Sequence, residues 1–232
     1  QLINISDQVH AGINNVFVRA RFQAPNARWY TGAGIYRNVW IFTLPNTYCP
    51  PYGSYCHANA IERDAPEKNW QLTFDTELVQ NDAARALSGS LYVALSNNRT
   101  GGVIKTEPIS FTNLRSNATE SWVIWQPRLW SPEDPALYTL TFHLQTPDGD
   151  QKWQEIIGFR QLIFTPDHGC RLNGEPCKIH GVCQHGDYGA VGGEVHRSAI
   201  QQRFKLLKGM GVNAIRTAHN PFSEEFLTQA DQ

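Results

Sequence analysis

The chain has 232 residues, of which 41% are hydrophobic and 18% are charged, and its net charge at neutral pH is -1. This length accommodates one or two domains with a substantial core, and the balanced charge disfavours a nucleic-acid partner. No apolar run approaches the length of a membrane span, and the first residues lack the basic start and apolar block of a signal peptide. We therefore expect a soluble chain with no membrane partner, whose compartment stays open.

Two strands are predicted before residue 45. Residues 14–22 alternate apolar and polar side chains, which is typical of a half-buried strand. A loop follows, and a second strand is predicted over residues 35–42. Gly32 and Gly34, which precede the second strand, indicate a turn or a bulge.

Residues 43–69 contain several prolines and little periodicity, which predicts a linker into a new domain. Cys49 and Cys56 lie in this linker. They either form a disulfide across the loop, if the protein is exported, or remain two free thiols. The odd total of five cysteines leaves at least one thiol unpaired within the chain. Only His57 is nearby, so a metal site is disfavoured here.

The pattern from residue 70 to residue 165 is that of β-strands. Apolar and polar side chains alternate in four stretches: Trp70 to Thr76, Leu91 to Leu95, Trp122 to Ile124, and Tyr138 to Leu144. Turn signals separate them at Ser88-Gly89, at Asn97-Asn98 with Gly101-Gly102, and at Pro147-Asp148-Gly149. Strands at this spacing predict an antiparallel β-sandwich of immunoglobulin-like architecture.

A hairpin and a strand–helix–strand unit are predicted in the last third of the chain. Asn173-Gly174 is a hairpin turn signal, and short apolar strands are predicted over residues 178–183 and 213–216. The helix between them is predicted from an apolar stripe with helical spacing. The stripe consists of Ile200, Phe204 and Leu207, widened by Leu206 and Met210.

Polar side chains follow both of these short strands. His185 and Asp187 come after the first strand, Arg216 ends the second, and His219 follows it. In parallel sheets and barrels, ligands bind beyond the carboxyl ends of the strands. The spacing therefore predicts that these four side chains gather at one edge.

Four motifs of the chain resemble signatures of glycoside hydrolase family 2. They are Arg28 to Trp40 (RWYTGAGIYRNVW), Pro127 to Leu140 (PRLWSPEDPALYTL), Gly181 to Asp187 (GVCQHGD) and Asn213 to Pro221 (NAIRTAHNP). That family holds β-galactosidases, β-glucuronidases and β-mannosidases. The resemblance runs through nearly the whole chain.

The resemblance implies a multidomain, mostly β fold in three parts. Residues 1–45 correspond to the end of a jelly-roll sugar-binding domain, residues 46–165 to an immunoglobulin-like β-sandwich, and residues 166–232 to the start of a TIM-barrel catalytic domain. A (β/α)8 barrel needs about 250 residues. We therefore expect a fragment that holds only the first βαβ unit of a truncated barrel.

The resemblance also implies a sugar-binding site. It places six side chains there: His185, Asp187, Arg216, His219, Arg28 and Trp29. His185 and His219 would hydrogen-bond sugar hydroxyl groups, Asp187 would orient His185 or bind a hydroxyl group, and Arg216 would hold a catalytic carboxylate. A purely structural His185, and a structural salt bridge for Arg216, are the alternatives.

Glycoside hydrolysis needs two carboxyl groups, which retaining enzymes hold about 5–5.5 Å apart. The resemblance puts both beyond Gln232, so we expect no catalytic residue in this chain and no activity from it alone. Glu194 matches no catalytic motif. Glu224 and Glu225 follow Ser223 at a predicted helix start, where carboxylates favour the helix dipole, and we interpret them as part of the helix cap.

The function that the motifs favour is a retaining β-glycosidase that hydrolyses terminal β-D-galactosides. Its partner is a β-linked oligosaccharide or glycoside, and the oligomeric state stays open, a homo-oligomer included. A β-glucuronidase of the same family and a non-catalytic carbohydrate-binding sandwich are the alternatives. The strand–helix–strand unit disfavours the binding module, which has no need of it. No cofactor or metal ligand is expected in this chain; magnesium serves some relatives through residues outside it.

Overall fold

The computed structural model describes residues 2–21, 34–35, 37–62, 64–82, 87–114, 117–193, 196–219 and 221–232. The described strands are β1 Thr47–Tyr48, β2 Ser54–Ala60, β3 Asn69–Glu77, β4 Val79–Gln80, β5 Leu87–Asn97, β6 Val103–Leu114, β7 Asn117–Trp125, β8 Tyr138–Thr146, β9 Gly149–Ile157, β10 Leu162–Thr165, β11 Gly169–Leu172, β12 Glu175–Pro176, β13 Gly181–Gln184 and β14 Ala214–Thr217. Helix α1 spans Arg197–Gly209 and helix α2 spans Glu224–Asp231. None of the helices described is long and apolar enough to span a membrane.

An antiparallel β-sandwich forms the centre of the molecule, as the alternating patterns predict. One sheet has the strand order β2-β3-β7 and the other the order β6-β5-β8-β9. The side chains that alternate in the sequence face each other between the sheets and are buried: Trp70, Leu72, Phe74, Leu91, Val93, Leu95, Trp122, Ile124, Tyr138, Leu140, Phe142 and Leu144. Burial of this apolar surface is the main stabilising term of the fold.

Phe74 lies at the centre of this core. Its ring makes edge-to-face contacts with Trp122 at 5.1 Å and with Phe142 at 5.7 Å between ring centroids. These two partners come from β7 of the same sheet and from β8 of the facing sheet. Phe74 therefore joins the two layers, in the geometry that aromatic pairs prefer.

The prediction of a linker over residues 43–69 is wrong for residues 54–60. Residues Ser54–Ala60 form strand β2, which pairs with β3 in antiparallel register from Ser54↔Thr76 to Ala60↔Trp70. Small and polar residues in this stretch give a weak strand pattern on their own. The neighbouring edge of β3 supplies the hydrogen bonds that make it a strand.

The turn predicted at Ser88-Gly89 is also wrong, because both residues lie inside β5. A Cβ atom on Gly89 would lie 2.4 Å from the backbone oxygen of Gln145. The glycine is therefore required for the close approach of β8. The turns predicted at Asn97-Asn98 with Gly101-Gly102 and at Pro147-Asp148-Gly149 are confirmed as the β5–β6 and β8–β9 connections.

The two strands predicted before residue 45 are wrong for the residues described there. The segments 2–21, 34–35 and 37–46 hold one short 3-10 turn, Ser6–Gln8, and no strand. Their apolar side chains are exposed, Phe17 at 92%. A strand needs a neighbouring edge to pair its N–H and C=O groups, and none of the described sheets includes this segment. The jelly-roll assignment of residues 1–45 stays a prediction, as do the three domain boundaries.

The hairpin predicted from Asn173-Gly174 is confirmed. It joins β11 to β12, and both turn residues have positive φ angles, 53° at Asn173 and 86° at Gly174. The Asn173 side chain donates to the carbonyl oxygen of Trp130 at 3.0 Å and accepts from the amide of Gln161 at 2.9 Å. The hairpin is thus attached to the end of the sandwich.

The strand–helix–strand unit is confirmed, with β13 and β14 parallel in the register Gly181↔Ala214 to Gln184↔Thr217. Ile200 of α1 is buried, and Phe204 makes an edge-to-face contact with Phe226 of α2 at 5.0 Å. The prediction that Leu206 and Met210 widen the apolar stripe is wrong, because these side chains are 58% and 75% exposed. At 100° per residue, Leu206 lies about 120° around the helix from Ile200 and therefore outside the buried face.

Trp130 connects the sandwich to α2. Its side chain lies over Gly158, and its Nε1 donates to the backbone oxygen of Asp231 at 2.7 Å. The guanidinium of Arg160 lies 5.0 Å from its ring centroid. A second connection is made by the Tyr52 hydroxyl, which donates to Glu224 Oε1 at 2.6 Å.

Candidate active site at the carboxyl edge of the parallel strands

His185 and His219 lie side by side at the carboxyl edge of β13 and β14. Their ring centroids are 6.1 Å apart and the ring planes are nearly perpendicular, at 87°. The parallel register brings the two rings together. Gln184 at the end of β13 is paired with Thr217 at the end of β14, so the residues that follow the two strands leave the sheet at the same edge. The four nitrogen atoms of the two rings therefore form a compact set of donors and acceptors, the chemistry that binds sugar hydroxyl groups.

Arg216 extends this pair into a cluster. Its Nη2 lies 3.4 Å from Nδ1 of His219, and its Nη1 donates to the Sγ of Cys183 at 3.7 Å. A guanidinium can only donate, so Nδ1 of His219 is the acceptor in this contact. Neutral His219 then carries its proton on Nε2. Arg216 thus selects the tautomer that presents an N–H donor on the far side of the ring.

Cys183 is part of the cluster, although sequence reasoning did not select it. Its thiol is exposed at the end of β13 and accepts from Arg216 of the neighbouring strand. The signal that could have found it is the register, since Cys183 pairs directly with Arg216. Paired residues of parallel strands project from the same face of the sheet.

Asp187 is held through its backbone in the loop that follows β13. Its carbonyl oxygen accepts from Nη2 of Arg203 in α1 at 2.6 Å. The guanidinium of Arg203 also stacks over the Tyr188 ring at 4.2 Å. Burial of this stack raises the pKa of the Tyr188 hydroxyl group. Arg203 does not belong to the apolar stripe predicted for the helix, and these two contacts make it a support of the loop that follows β13.

Arg37 reaches the same edge from the N-terminal part of the chain. Its Nη2 donates to the carbonyl oxygen of Pro221 at 2.5 Å. Pro221 closes the motif that contains His219. Arg37 lies inside the motif from Arg28 to Trp40, but the sequence did not single it out because its partner is remote in the chain.

Glu224 and Glu225 occupy the first turn of α2, as predicted. Ser223 caps this helix, with its Oγ accepting from the amide of Phe226 at 3.3 Å. Glu224 accepts from Tyr52, and half-buried Glu225 lies 3.4 Å from exposed Arg197 in an ion pair. These contacts belong to a helix start and not to a pair of catalytic carboxyl groups.

Four residues considered above lie outside the described part of the chain. They are Arg28, Trp29, Gly32 and Glu194. The roles assigned to Arg28 and Trp29 as sugar contacts stay predictions. The same holds for the sugar-binding roles of His185, Asp187, Arg216 and His219, whose positions alone are given by the structure.

Of the two alternatives considered for Cys49 and Cys56, the structure has the two free thiols and not the disulfide. The Cys49 Sγ contacts the Ser54 hydroxyl at 3.7 Å and the Pro50 carbonyl oxygen at 3.6 Å. Burial raises the pKa of Cys49 to about 11 and that of Cys56 to about 12. Cys49 directly follows strand β1 and Cys56 lies within strand β2, in the stretch for which the sequence predicts a linker.

A cavity of about 220 Å³ lies away from the histidine pair, at the edge of the sandwich. Its lining includes His57 of β2, Ile156 of β9, Trp130, Arg160 and Asp231. It offers one carboxyl group beside a cation, which fits a structural contact between the sandwich and α2. The edge of β13 and β14 has the denser set of polar groups and remains the candidate site.

Two family models match the chain. Residues 59–160 match "Glycosyl hydrolases family 2", and residues 166–232 match "Glycosyl hydrolases family 2, TIM barrel domain". The first match covers most of the sandwich. The second covers the hairpin, the parallel strands and both helices, and so contains the whole histidine cluster.

Individual proteins agree with these matches. The chain is 32% identical to "Beta-galactosidase BoGH2A" of Bacteroides ovatus, over 90% of the chain and 24% of the relative. It is 30% identical to a "Putative beta-glucuronidase" of Formosa agariphila, over 99% of the chain and 21% of the relative. The structure resembles that of a β-glycosidase from Bacteroides vulgatus with a TM-score of 0.79 and 35% identity, covering 90% of this chain and 26% of the other. The chain thus spans about a quarter of the length of these proteins.

Proposed function

The chain belongs to glycosyl hydrolases family 2, and from this membership we propose that it forms part of a retaining β-glycosidase that acts on terminal β-galactosides. The observation that carries the proposal is the cluster of His185, His219 and Arg216 at the carboxyl edge of two parallel strands. In barrel enzymes this edge is the one that carries the active site. The similarity to a β-galactosidase at 32% identity supports the substrate.

In the proposed reaction, the histidines bind and orient the sugar. The imidazole N–H groups donate to hydroxyl oxygens of the galactosyl ring and hold the glycosidic bond in a fixed place. Arg216 keeps His219 in the donor tautomer, and its guanidinium is the group that would hold a catalytic carboxylate by a charged hydrogen bond. Positioning of this kind lowers the barrier by removing the freedom of the reacting groups beforehand.

The two carboxyl groups of the reaction come, in this proposal, from other parts of the enzyme. A retaining mechanism needs a nucleophile and an acid/base about 5–5.5 Å apart. Among the described residues, the carboxylate nearest in sequence to the cluster is Asp187, which alone cannot supply both groups. Glu224 and Glu225 belong to the start of α2. The relatives are about four to five times as long as this chain, which leaves ample room for the catalytic pair.

Magnesium has no ligand set in the described part of the chain. No group of three His, Cys, Asp or Glu side chains converges there as a metal site would require. The residues described do not fit the ion, and the proposed steps do not involve it.

A β-glucuronide is the second candidate substrate. The similarity to a putative β-glucuronidase extends over 99% of the chain at 30% identity. A glucuronidase needs a cation or amide groups for the sugar carboxylate, and the guanidinium of Arg28 is suited to that role. One observation disfavours a glucuronide. The described cation beside the histidine pair is Arg216, and its guanidinium is already engaged with Cys183 and His219 of the cluster.

The test is the specificity of the complete enzyme that contains this chain. We propose to measure kcat/KM with the nitrophenyl β-galactoside, β-glucuronide and β-mannoside under identical conditions. We expect the galactoside to be hydrolysed at least ten-fold more efficiently, which corresponds to about 1.4 kcal/mol of transition-state preference. A ten-fold preference for the glucuronide would replace the substrate assignment, and no hydrolysis of any β-glycoside would refute the proposed activity.

A further inference from the structure

Cys170 and Cys177 lie opposite each other in the hairpin that precedes β13. The register of β11 and β12 pairs Leu172 with Glu175 and Arg171 with Pro176, so the next pair outward is Cys170 and Cys177. The amide of Cys177 donates to the carbonyl oxygen of Cys170 at 2.8 Å, which confirms this extension of the register. The two-residue turn of the hairpin leaves no freedom for a shift of one residue.

The two side chains meet on the same face of the hairpin. Burial and the adjacent Cys177 thiol both raise the pKa of the Cys170 thiol. Directly opposed residues of an antiparallel pair have Cα atoms about 4.5–5.5 Å apart, within the range of about 4.4–6.8 Å that a disulfide requires. Both residues are half-buried, so a small reagent can reach them.

The other thiols described do not share this arrangement. Cys49 is buried and contacts Ser54, and Cys56 lies in β2 facing the core. Cys183 is exposed, and its neighbour is the guanidinium of Arg216. The hairpin is therefore the place where the fold brings two thiols together.

We propose that Cys170 and Cys177 form a redox-sensitive modification site, which a low-molecular-weight disulfide such as oxidised glutathione converts to an intramolecular disulfide. The thiolate of one cysteine attacks the reagent, forms a mixed disulfide and expels one thiolate. The thiolate of the second cysteine then attacks the protein sulfur of that mixed disulfide and expels the other. Two cysteine thiols and one reagent disulfide give one protein disulfide and two reagent thiols, and the attacking thiols lose their protons to the released thiolates.

The position of the pair connects its redox state to the joint between the sandwich and the barrel unit. Asn173 attaches the tip of the hairpin to Trp130 and Gln161. On the other side, Lys178 follows Cys177 directly, and its carbonyl oxygen accepts from the Asn213 side chain at 2.9 Å. A disulfide would fix the base of this hairpin, so the segment entering β13 would fray less in the oxidised protein.

The test uses the 232-residue chain in glutathione buffers of rising oxidised-to-reduced ratio. After acid quenching, thiol alkylation and tryptic digestion, the peptides are identified by mass. Trypsin cleaves after Arg171, so Cys170 is found in peptide 161–171 and Cys177 in peptide 172–178. A disulfide between them links these two peptides, which reduction then separates.

We expect the linked pair 161–171/172–178 to accumulate at ratios where Cys183 is still recovered mainly as the alkylated thiol. The Cys183→Ser variant should give the same linked pair, whereas Cys170→Ser should abolish it and leave Cys177 as a mixed disulfide with glutathione. Recovery of both peptides unlinked from the wild-type protein at every ratio would overturn the proposal. So would a linkage of either peptide to Cys49, Cys56 or Cys183 in preference to each other.

The reduced fraying of the segment that enters β13 is tested by a separate measurement, which does not depend on any catalytic activity. Hydrogen exchange of the amides from residue 169 to residue 180 should slow at least about three-fold on oxidation in the wild-type protein and not in the Cys170→Ser variant. Equal exchange in both redox states would refute the effect on the joint. The variant's far-UV and near-UV circular dichroism verifies that it is folded.

Discussion

The guanidinium of Arg37 donates a hydrogen bond to the carbonyl oxygen of Pro221 at 2.5 Å, although the two residues are 184 positions apart. Pro221 ends the motif that carries His219, and Arg37 belongs to the N-terminal part of the chain. One side chain of the first segment thus contacts the backbone of the loop that borders the candidate site.

We predict that Arg37→Ala lowers kcat/KM of the complete enzyme about ten-fold. The variant removes a donor that fixes the backbone next to His219, and small displacements of binding groups are costly for catalysis. Arg37→Lys should recover part of the loss, and the thermal midpoint should fall little because the contact is exposed. The control is Arg19→Ala, which removes an exposed arginine of the same segment. A similar loss of kcat/KM in this control would show that the positive charge, and not the contact with Pro221, supports activity.

We predict that His185→Ala and His219→Ala each lower kcat/KM about 30- to 100-fold, or about 2–3 kcal/mol, because each removes a donor to the bound sugar. The double variant should lose less than the product of the two single effects, since the two rings are in contact. His168→Ala, in an exposed turn, is the matched control and should retain activity. Wild-type activity in either single variant would contradict the site.

We predict that the 232-residue chain produced alone does not hydrolyse nitrophenyl β-galactoside or β-glucuronide. Its described acidic residues provide no carboxyl pair beside the histidines, and two carboxyl groups are needed for the reaction. The assay compares the purified chain with a buffer blank. Turnover that stays with the chain through a second purification would show that this chain contains the catalytic pair.

We predict that Phe74→Ala lowers the free energy of unfolding by about 3–5 kcal/mol, as expected for loss of a large ring from a packed core. The ring is fully buried and contacts Trp122 and Phe142. Tyr55→Ala, on the solvent face of β2 at 65% exposure, should cost less than about 1 kcal/mol. Urea unfolding of both variants measures the difference, and equal losses would mean that Phe74 is not central to the core.

We predict that Cys49 and Cys56 react with iodoacetamide in the native protein only at strongly alkaline pH. Burial raises their pKa values to about 11 and about 12, so less than about one molecule in a thousand carries the thiolate at pH 8. Because the folded pKa exceeds the ordinary value of 9.0, the associated stability is complete below pH 9 and is lost as the pH rises through 11 to 12.

The measurement for these thiols is alkylation followed by peptide mass analysis between pH 7 and pH 11. The labelling rate of both should rise about ten-fold per pH unit over this range, and full labelling at pH 8 should require a denaturant. Exposed Cys183 should be labelled at pH 8 without one. Rapid labelling of Cys56 at pH 8 in the folded protein would contradict its burial.

Local sequence determined the parts of the fold whose signal lies within a few neighbouring residues. The alternation from Trp70 to Thr76 and from Tyr138 to Leu144 specified which side chains face the core, because a strand turns successive residues to opposite faces. Asn173-Gly174 specified its hairpin, since few residues adopt two successive positive φ angles. The His-Asn-Pro ending and the strand pattern before it likewise located the candidate site at the end of β14.

The tertiary structure decided whatever depends on a partner remote in the chain. Strand β2 exists because β3 offers it an edge, and Gly89 is required because β8 passes within 2.4 Å of its would-be Cβ. The contact of Arg37 with Pro221 and that of Arg203 with Asp187 carry no local pattern that a sequence could display. The cysteines show the same division. Spacing alone suggested a disulfide between Cys49 and Cys56, whereas the strand register brings Cys170 and Cys177 together. The reason is that strand pairing, and not distance along the sequence, decides which residues lie opposite each other.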